Sequence, residues 1–233
     1  MSDEPTLTDG SGLPYPRTML SFRRVLAVGA HTDDIELGCG ALLHRLHRQG
    51  AEIRVAVFSR AEQSLPAGAA PDTLEQEFRA AMKHLGVEGD AIHMASVPVR
   101  DFPEHRQPIL EDLVRINRAY DPDLVLTMSS TDTHQDHEVV HAESVRAFRG
   151  RTVLGYETPW NQRVSHTTLF AEVEEADVEA KIAMVAEYRT QADLGRSYVT
   201  PEDLRSAALF RGVQGKCGLA EAYEVLTMKW ELS

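Results

Sequence analysis

Apolar residues along this chain fall into two alternating patterns. Short runs at Val25-Leu26-Ala27-Val28, Ile53-Arg54-Val55-Ala56-Val57-Phe58, Ala91 to Met94 and Leu124-Val125-Leu126 alternate with amphipathic segments over 36–49, 72–86, 107–120 and 137–148. The runs read as strands buried on both faces and the segments as helices with one apolar stripe. In 72–86 the stripe is explicit: Leu74, Phe78, Ala81, Met82 and Leu85 fall at i, i+4, i+7, i+8 and i+11, closed by Gly86 as a C′ residue. Val178, Ile182 and Val185 repeat the spacing. A last strand is expected over 224–230, where Leu226, Met228 and Trp230 alternate with Val225, Thr227 and Lys229. This order predicts an α/β fold: a single domain with a mostly parallel, Rossmann-like sheet and helices on both faces.

Residues 1–20 break the pattern. They mix Pro5, Pro14 and Pro16 with Gly10, Ser11 and Gly12 and show no apolar period, so they are expected to form a flexible N-terminal arm. That leaves 21–233 as the folded unit, a length that suits one large domain with a substantial core.

Charge narrows the partners. The chain carries 36 acidic and 24 basic side chains, net −12, and its longest basic cluster is Arg23-Arg24, so neither a nucleic acid nor an anionic membrane is an expected partner. No stretch reaches the roughly 18 apolar residues of a membrane helix, and Met1-Ser2-Asp3-Glu4 lacks the character of a signal peptide, which points to a cytoplasmic protein. Cys39 and Cys217 are too few for a disulfide framework and lack metal-binding spacing, so any metal is expected on His and carboxylate.

Those ligand types cluster at two strand ends. The first run leads through Gly29-Ala30 into His31-Thr32-Asp33-Asp34-Ile35-Glu36, and in open α/β sheets ligand sites collect at the carboxyl ends of strands. One or two of these acids can serve the following helix end; three acids and a His exceed what capping needs. The run Leu124-Val125-Leu126 leads into Ser129-Ser130-Thr131-Asp132-Thr133-His134-Gln135-Asp136-His137, with His141 one turn on. On a helix, His134 and His137 or His137 and His141 share a face. One His and one Asp from the first end and one His from the second would leave a position open for water, as in a catalytic zinc site, with Asp33 or Asp34 spare to accept a proton. The implied chemistry is hydrolytic.

The run Ala30-His31-Thr32-Asp33-Asp34-Ile35-Glu36-Leu37-Gly38-Cys39-Gly40 resembles the Ala-His-Pro-Asp-Asp-x-Glu-x-Gly-x-Gly signature of the LmbE-like or PIG-L-like zinc-dependent de-N-acetylases, and His134-Gln135-Asp136-His137 resembles their His-Pro-Asp-His. Further similarities, at Glu77 to Gly86, Arg100-Asp101, Pro122 to Val125, Tyr188 to Gln191, Arg211-Gly212 and Ala220 to Tyr223, extend the resemblance over nearly the whole chain beyond the arm. It implies that His31, Asp34 and His137 hold Zn2+, with Fe2+ as the alternative metal, and that Asp33 is the general base on the activated water. His134 would stabilise the oxyanion or protonate the leaving amine, with Asp136 orienting it. The substrate class implied is an N-acetylated amino sugar or small sugar conjugate, a small molecule; assembly into a homo-oligomer is left open. His141 takes no role from the resemblance and reads as structural or as a support behind the ligands, with ligation as the alternative. Thr32 and Gln135 stand where the family has Pro, and Leu74 where many members carry Arg, a difference that bears on the substrate and leaves the metal set intact.

Around this centre, Arg100 and Asp101 are candidates for binding sugar hydroxyls, although such a pair is more often a surface salt bridge. Trp160, in Tyr156-Glu157-Thr158-Pro159-Trp160-Asn161, offers a face for a sugar ring or for core packing. Gly38 and Gly40 lack the third glycine of a dinucleotide loop. The acidic run from Glu172 to Glu179 reads as a solvated helix start. Two other functional classes fit part of the pattern. His31-x-Asp33 with a distant His matches the facial triad of a non-haem Fe(II) oxygenase, and a non-catalytic sugar-binding relative would keep the fold without needing Asp33.

Overall fold

A computed structural model describes residues 20–229. In chain order the elements are β1 (Arg24–Gly29), α1 (Asp34–Arg48), β2 (Glu52–Val57), α2 (Thr73–Lys83), β3 (Ile92–Met94), α3 (Arg106–Tyr120), β4 (Leu124–Met128), α4 (Gln135–Ala147), β5 (Thr152–Tyr156), β6 (Leu169–Val173), α5 (Glu175–Ala186), α6 (Arg189–Asp193), α7 (Pro201–Gly215) and β7 (Leu219–Thr227). The strands form one sheet in the order β3-β2-β1-β4-β5-β7-β6. The first five are mutually parallel, and β7 runs antiparallel to both β5 and β6. The mostly parallel α/β domain is therefore present, completed by an antiparallel edge.

The topology creates a crevice. From β1 the chain crosses through α1 to β2 on one side, and later from β3 through α3 to β4 on the other. Right-handed crossovers in opposite directions place α1 and α3 on opposite faces and leave a gap outside the carboxyl ends of β1 and β4. Val25, Ala27, Val28, Val125, Leu126 and Met128 are all fully buried, which fixes these two strands at the centre of the core. On one face α1 packs on α5, on the other α3 packs on α4. Such a doubly wound sheet differs from the double-sheet all-β scaffolds that facial-triad oxygenases use, and the oxygenase reading loses its scaffold.

The apolar stripe of α2 behaves as its spacing requires: Leu74, Phe78, Ala81 and Met82 are buried, and Leu85 follows them into the core. Two elements differ from expectation. The last strand begins five residues earlier than 224, and Trp230 lies outside the described residues, as does the N-terminal arm except Leu20. The acidic run straddles two elements: Glu172 sits in β6, while Glu174 caps α5 and exchanges hydrogen bonds with Asp177 in a capping box.

Helix α1 is broken at Cys39, whose φ of −145° and ψ of 18° are non-helical. The Glu221 carboxylate of β7 reaches this break and accepts hydrogen bonds from the Ala41 and Leu42 amides at 3.2 and 2.8 Å, while Lys181 Nζ and the Tyr223 hydroxyl hold it at 2.7 and 2.8 Å. Gly38 has a packing reason: a Cβ there would fall 2.1 Å from the Tyr156 ring, so its lack of a side chain lets α1 lie directly on β5. Together these contacts seat the N-terminal turn of α1 at the mouth of the crevice.

Candidate active site

The loop from β1 into α1 and the loop from β4 into α4 face each other across the crevice, and their side chains lock together. Asp132 organises the second loop. Its Oδ1 accepts the His134 amide at 2.8 Å, and its Oδ2 meets His137 Nδ1 at 2.7 Å and the Thr158 hydroxyl. Because a carboxylate only accepts, Nδ1 of His137 carries a proton, so in the neutral ring the lone pair is on Nε2, turned toward the cluster. His31 is oriented in the mirror sense: its Nε2 donates to Asp136 Oδ2 at 2.9 Å, which frees Nδ1.

The two free nitrogens and the Asp34 carboxylate converge. His31 Nδ1 lies 3.2 Å from His137 Nε2, His137 Nε2 lies 3.3 Å from Asp34 Oδ1, and His31 Nδ1 lies 3.5 Å from Asp34 Oδ2. A tetrahedral ion with bonds of about 2.0–2.1 Å spaces its ligand atoms about 3.3–3.4 Å apart, so the separations of the three donors match the edges of such a polyhedron. Asp34 is steadied independently of the histidines, because its Oδ2 also accepts the His31 amide at 2.6 Å. The donor set suits a borderline divalent cation of the Zn2+ or Fe2+ type.

His134 belongs to the same cluster, with a ring nitrogen within 4.8 Å of those of His31 and His137. Its bonding differs, however. Nδ1 accepts the Asp136 amide at 3.2 Å and caps α4, so the neutral ring carries its proton on Nε2. That makes it a hydrogen-bond donor within the cluster, where the other two rings offer lone pairs. Asp136, expected to orient His134, is instead 4.0 Å from that ring and bonded to His31 and to the Arg100 amide at 2.7 Å. The spacing alone could not show this, because the decisive partners come from two other loops.

The electrostatics favour a cation. Burial disfavours the charged form of both His31 and His137, yet neighbouring carboxylates prevail: Asp136 and Asp34 raise His31 to about 9, and Asp34 and Asp132 raise His137 to about 10. Against its own burial, Asp34 is held well below the carboxylate range by His137 and His31. Asp33 moves the other way, raised by burial and by the charge of Asp34. Although Asp33 is the N-cap residue of α1, its side chain makes no capping hydrogen bond and lines the cavity instead.

That cavity, about 340 Å³, is of the size that encloses a small ligand. Arg100 lines it, held at a positive φ of 71° by its amide bond to Asp136 and by Gln135 Nε2 donating to its carbonyl at 2.7 Å. Asp101 lies outside the lining and pairs with His105 at 3.5 Å. Trp160 also lines the cavity, stacked on Tyr198 with ring centroids 4.1 Å apart, and it packs against the Leu37, Val185 and Leu204 cluster. Trp160 thus packs against the core and also lines the cavity. His141 turns away, its Nδ1 donating to the Met128 carbonyl at 2.9 Å. Residues that local patterns did not single out include Asp132, Tyr198 and Arg196. Asp132 was visible only as one more acid in a polar loop, and nothing local marks Tyr198 or Arg196.

A family model described as PIG-L, GlcNAc-PI de-N-acetylase, matches residues 26–148, which span both motif loops. An uncharacterized deacetylase, YaiS, of Escherichia coli K12 is 33% identical over 174 residues, covering 71% of this chain and 90% of that protein. Among solved structures, the N,N'-diacetylchitobiose deacetylase of Pyrococcus horikoshii superposes with a TM-score of 0.75 at 17% identity, over 88% of this chain and 84% of that one. The 4-carboxy-2-hydroxymuconate hydratase GalB of Pseudomonas putida KT2440 reaches 0.72 at 20% identity, over 91% and 99%. The last two likenesses are of fold, and the fold alone accommodates both a deacetylase and a hydratase.

Proposed function

Because the chain belongs to the PIG-L family, the match covering more than half of its length, we propose that it is a zinc-dependent N-deacetylase that removes the acetyl group from an N-acetylated amino sugar or small sugar conjugate. The observation that carries this reading is the convergence of His31 Nδ1, His137 Nε2 and the Asp34 carboxylate at 3.2 to 3.5 Å, beside a carboxylate, Asp33, that binds none of them.

His31, Asp34 and His137 would hold the ion, which when bound acts as a Lewis acid, polarising the acetamide carbonyl and acidifying water. Asp33, on the cavity wall without a hydrogen bond to spend on helix capping, receives the proton of the attacking water. His134 presents its Nε2–H to the carbonyl oxygen as charge develops there, or to the departing amine. Asp132 and Asp136 keep His137 and His31 in the tautomers that leave their inner nitrogens free. Arg100 meets sugar hydroxyls on one side, and the Trp160–Tyr198 stack forms the wall for the ring. The substrate remainder extends out of the cavity, which has room for about one hexosamine.

Acetate release from N-acetylglucosamine conjugates tests the proposal. Turnover is expected with the zinc-loaded protein, lost on chelation and restored by zinc. Turnover that survives complete metal removal, or its absence from every acetylated amino sugar tried with metal bound, would overturn it. Asp132→Asn is expected to weaken zinc binding about 10- to 100-fold, because the amide still accepts from His137 without supplying the charge that supports it. Competition with a chromogenic chelator measures the change.

A further inference from the structure

Glu77 and Gln191 lie in stretches that carry the family resemblance, and the proposed chemistry uses neither. Gln191, on α6, lines the cavity and is 2% exposed. Its side chain bonds to Thr190, not to the proposed ligands or to Asp33. Thr190 is in turn anchored to Glu77 on α2: its amide donates to Glu77 Oε1 at 3.0 Å and its hydroxyl to Oε2 at 2.6 Å.

These contacts decide which way the Gln191 amide faces. A threonine hydroxyl has one hydrogen, and here Glu77 receives it. The Thr190 oxygen can then only accept, and it does so from Gln191 Nε2 at 3.2 Å. The NH2 end of the amide is thereby turned to Thr190, and the opposite end, the Oε1 carbonyl, takes no hydrogen bond among the described residues. Unlike the Thr32 hydroxyl, which is sealed off without a partner, Oε1 opens on the cavity.

The result is an acceptor of set direction on the cavity wall. Arg100 and Arg196, which line the same space, can only donate. Asp33 and Asp34 have the tasks of base and ligand. A sugar hydroxyl both donates and accepts, so one that accepts from a guanidinium still has a hydrogen to place, and Gln191 Oε1 can take it. A substrate without that hydroxyl would leave a buried carbonyl unpaired.

We propose that Gln191 is a specificity-determining residue that accepts a hydrogen bond from a ring hydroxyl of the substrate, with Glu77 and Thr190 as positioning residues that turn its carbonyl into the cavity. The inference rests on the amino-sugar reading and narrows it: an acetylated sugar lacking that one hydroxyl is a poor substrate.

The test uses the zinc-loaded full chain and four probes, the methyl glycoside of N-acetylglucosamine and its 3-, 4- and 6-deoxy analogues. For the parent and for Gln191→Leu, Thr190→Val and Thr190→Ser, kcat/KM on each sugar and zinc affinity are measured. The parent is expected to prefer the intact sugar over one of the analogues by about 10-fold. Gln191→Leu should bring that ratio below about threefold by slowing the intact sugar alone, with zinc affinity within about threefold of the parent. Thr190→Val, which releases the amide to turn, should lose most of the ratio, and Thr190→Ser, which keeps the hydroxyl, should retain it. A parent that treats all four sugars alike, or a Gln191→Leu variant with the parental ratio, would overturn the proposal. Equal ratios in Thr190→Val and Thr190→Ser would overturn it too, because the carbonyl would then take its direction from elsewhere. If Gln191→Leu does not fold, the Thr190 pair decides alone. A parent that releases no acetate refutes the deacetylase reading instead. Dissociation constants of the same four sugars, measured by calorimetry on the zinc-loaded proteins, then take the place of kcat/KM: the same pattern of ratios upholds the role of Gln191, and equal affinities or no binding end it.

Discussion

Asp33→Asn is expected to abolish nearly all turnover while the protein keeps its metal. Asn has the shape of Asp but cannot accept a proton at neutral pH, and general acid–base groups contribute about 10²- to 10⁴-fold to rate. A fall of that size in kcat corresponds to about 3–5 kcal/mol of transition-state stabilisation. Metal binding should survive because the convergent set is His31, His137 and Asp34; Asp33 contributes no contact to it. Acetate release and metal analysis on the same sample check both halves. If the variant loses zinc as completely as it loses activity, the roles of the adjacent aspartates are the reverse of those assigned here.

His137→Ala is expected to fail in the opposite order, losing the metal first and activity as a consequence. The change removes a ligand nitrogen, so its cost should exceed the 10- to 100-fold expected from disturbing its orienter Asp132. It also strips Asp132, whose side chain is 1% exposed, of its cationic partner. Two signatures follow in a thermal melt. The variant should melt below the parent without zinc, and it should lose the concentration-dependent rise in melting temperature that any ligand specific for the folded state produces. A variant that still shows the parental zinc-dependent rise would remove His137 from the ligand set.

Much of this arrangement was legible in the chain because it is local. The stripe of α2 and the apolar runs of β1 and β4 are patterns within a dozen residues, and the core buries those positions. The two motif loops were legible because their acids and histidines exceed what helix ends require. Less visible were features settled by distant partners. Helix α7 buries only Leu204, Ala208 and Gly212 and leaves Leu209, Phe210 and Val213 exposed, so it shows no apolar stripe. Strand β6 is a half-exposed edge with an acid in it, defined by pairing with β7 some fifty residues later. Within the site, the residue types were readable but the wiring was not. That Asp136 holds His31 rather than His134, and that Asp132 holds His137, depends on how two loops a hundred residues apart approach each other. Asp101 illustrates the converse: beside Arg100 in sequence, it faces away from the cavity that Arg100 lines.

The break in α1 sets an order of events during synthesis. The helix that carries the first motif emerges early from the ribosome, but the carboxylate that receives its freed Ala41 and Leu42 amides belongs to Glu221, some 180 positions later. A nascent chain can therefore form β1 and the start of α1 long before it can secure the second half of that helix. Until the last strand is released, the histidine and aspartates of the first loop rest on a segment whose backbone donors are unpaid. A ribosome-stalled chain ending before residue 219 should accordingly expose that segment to protease, and release of Leu219–Thr227 should close it.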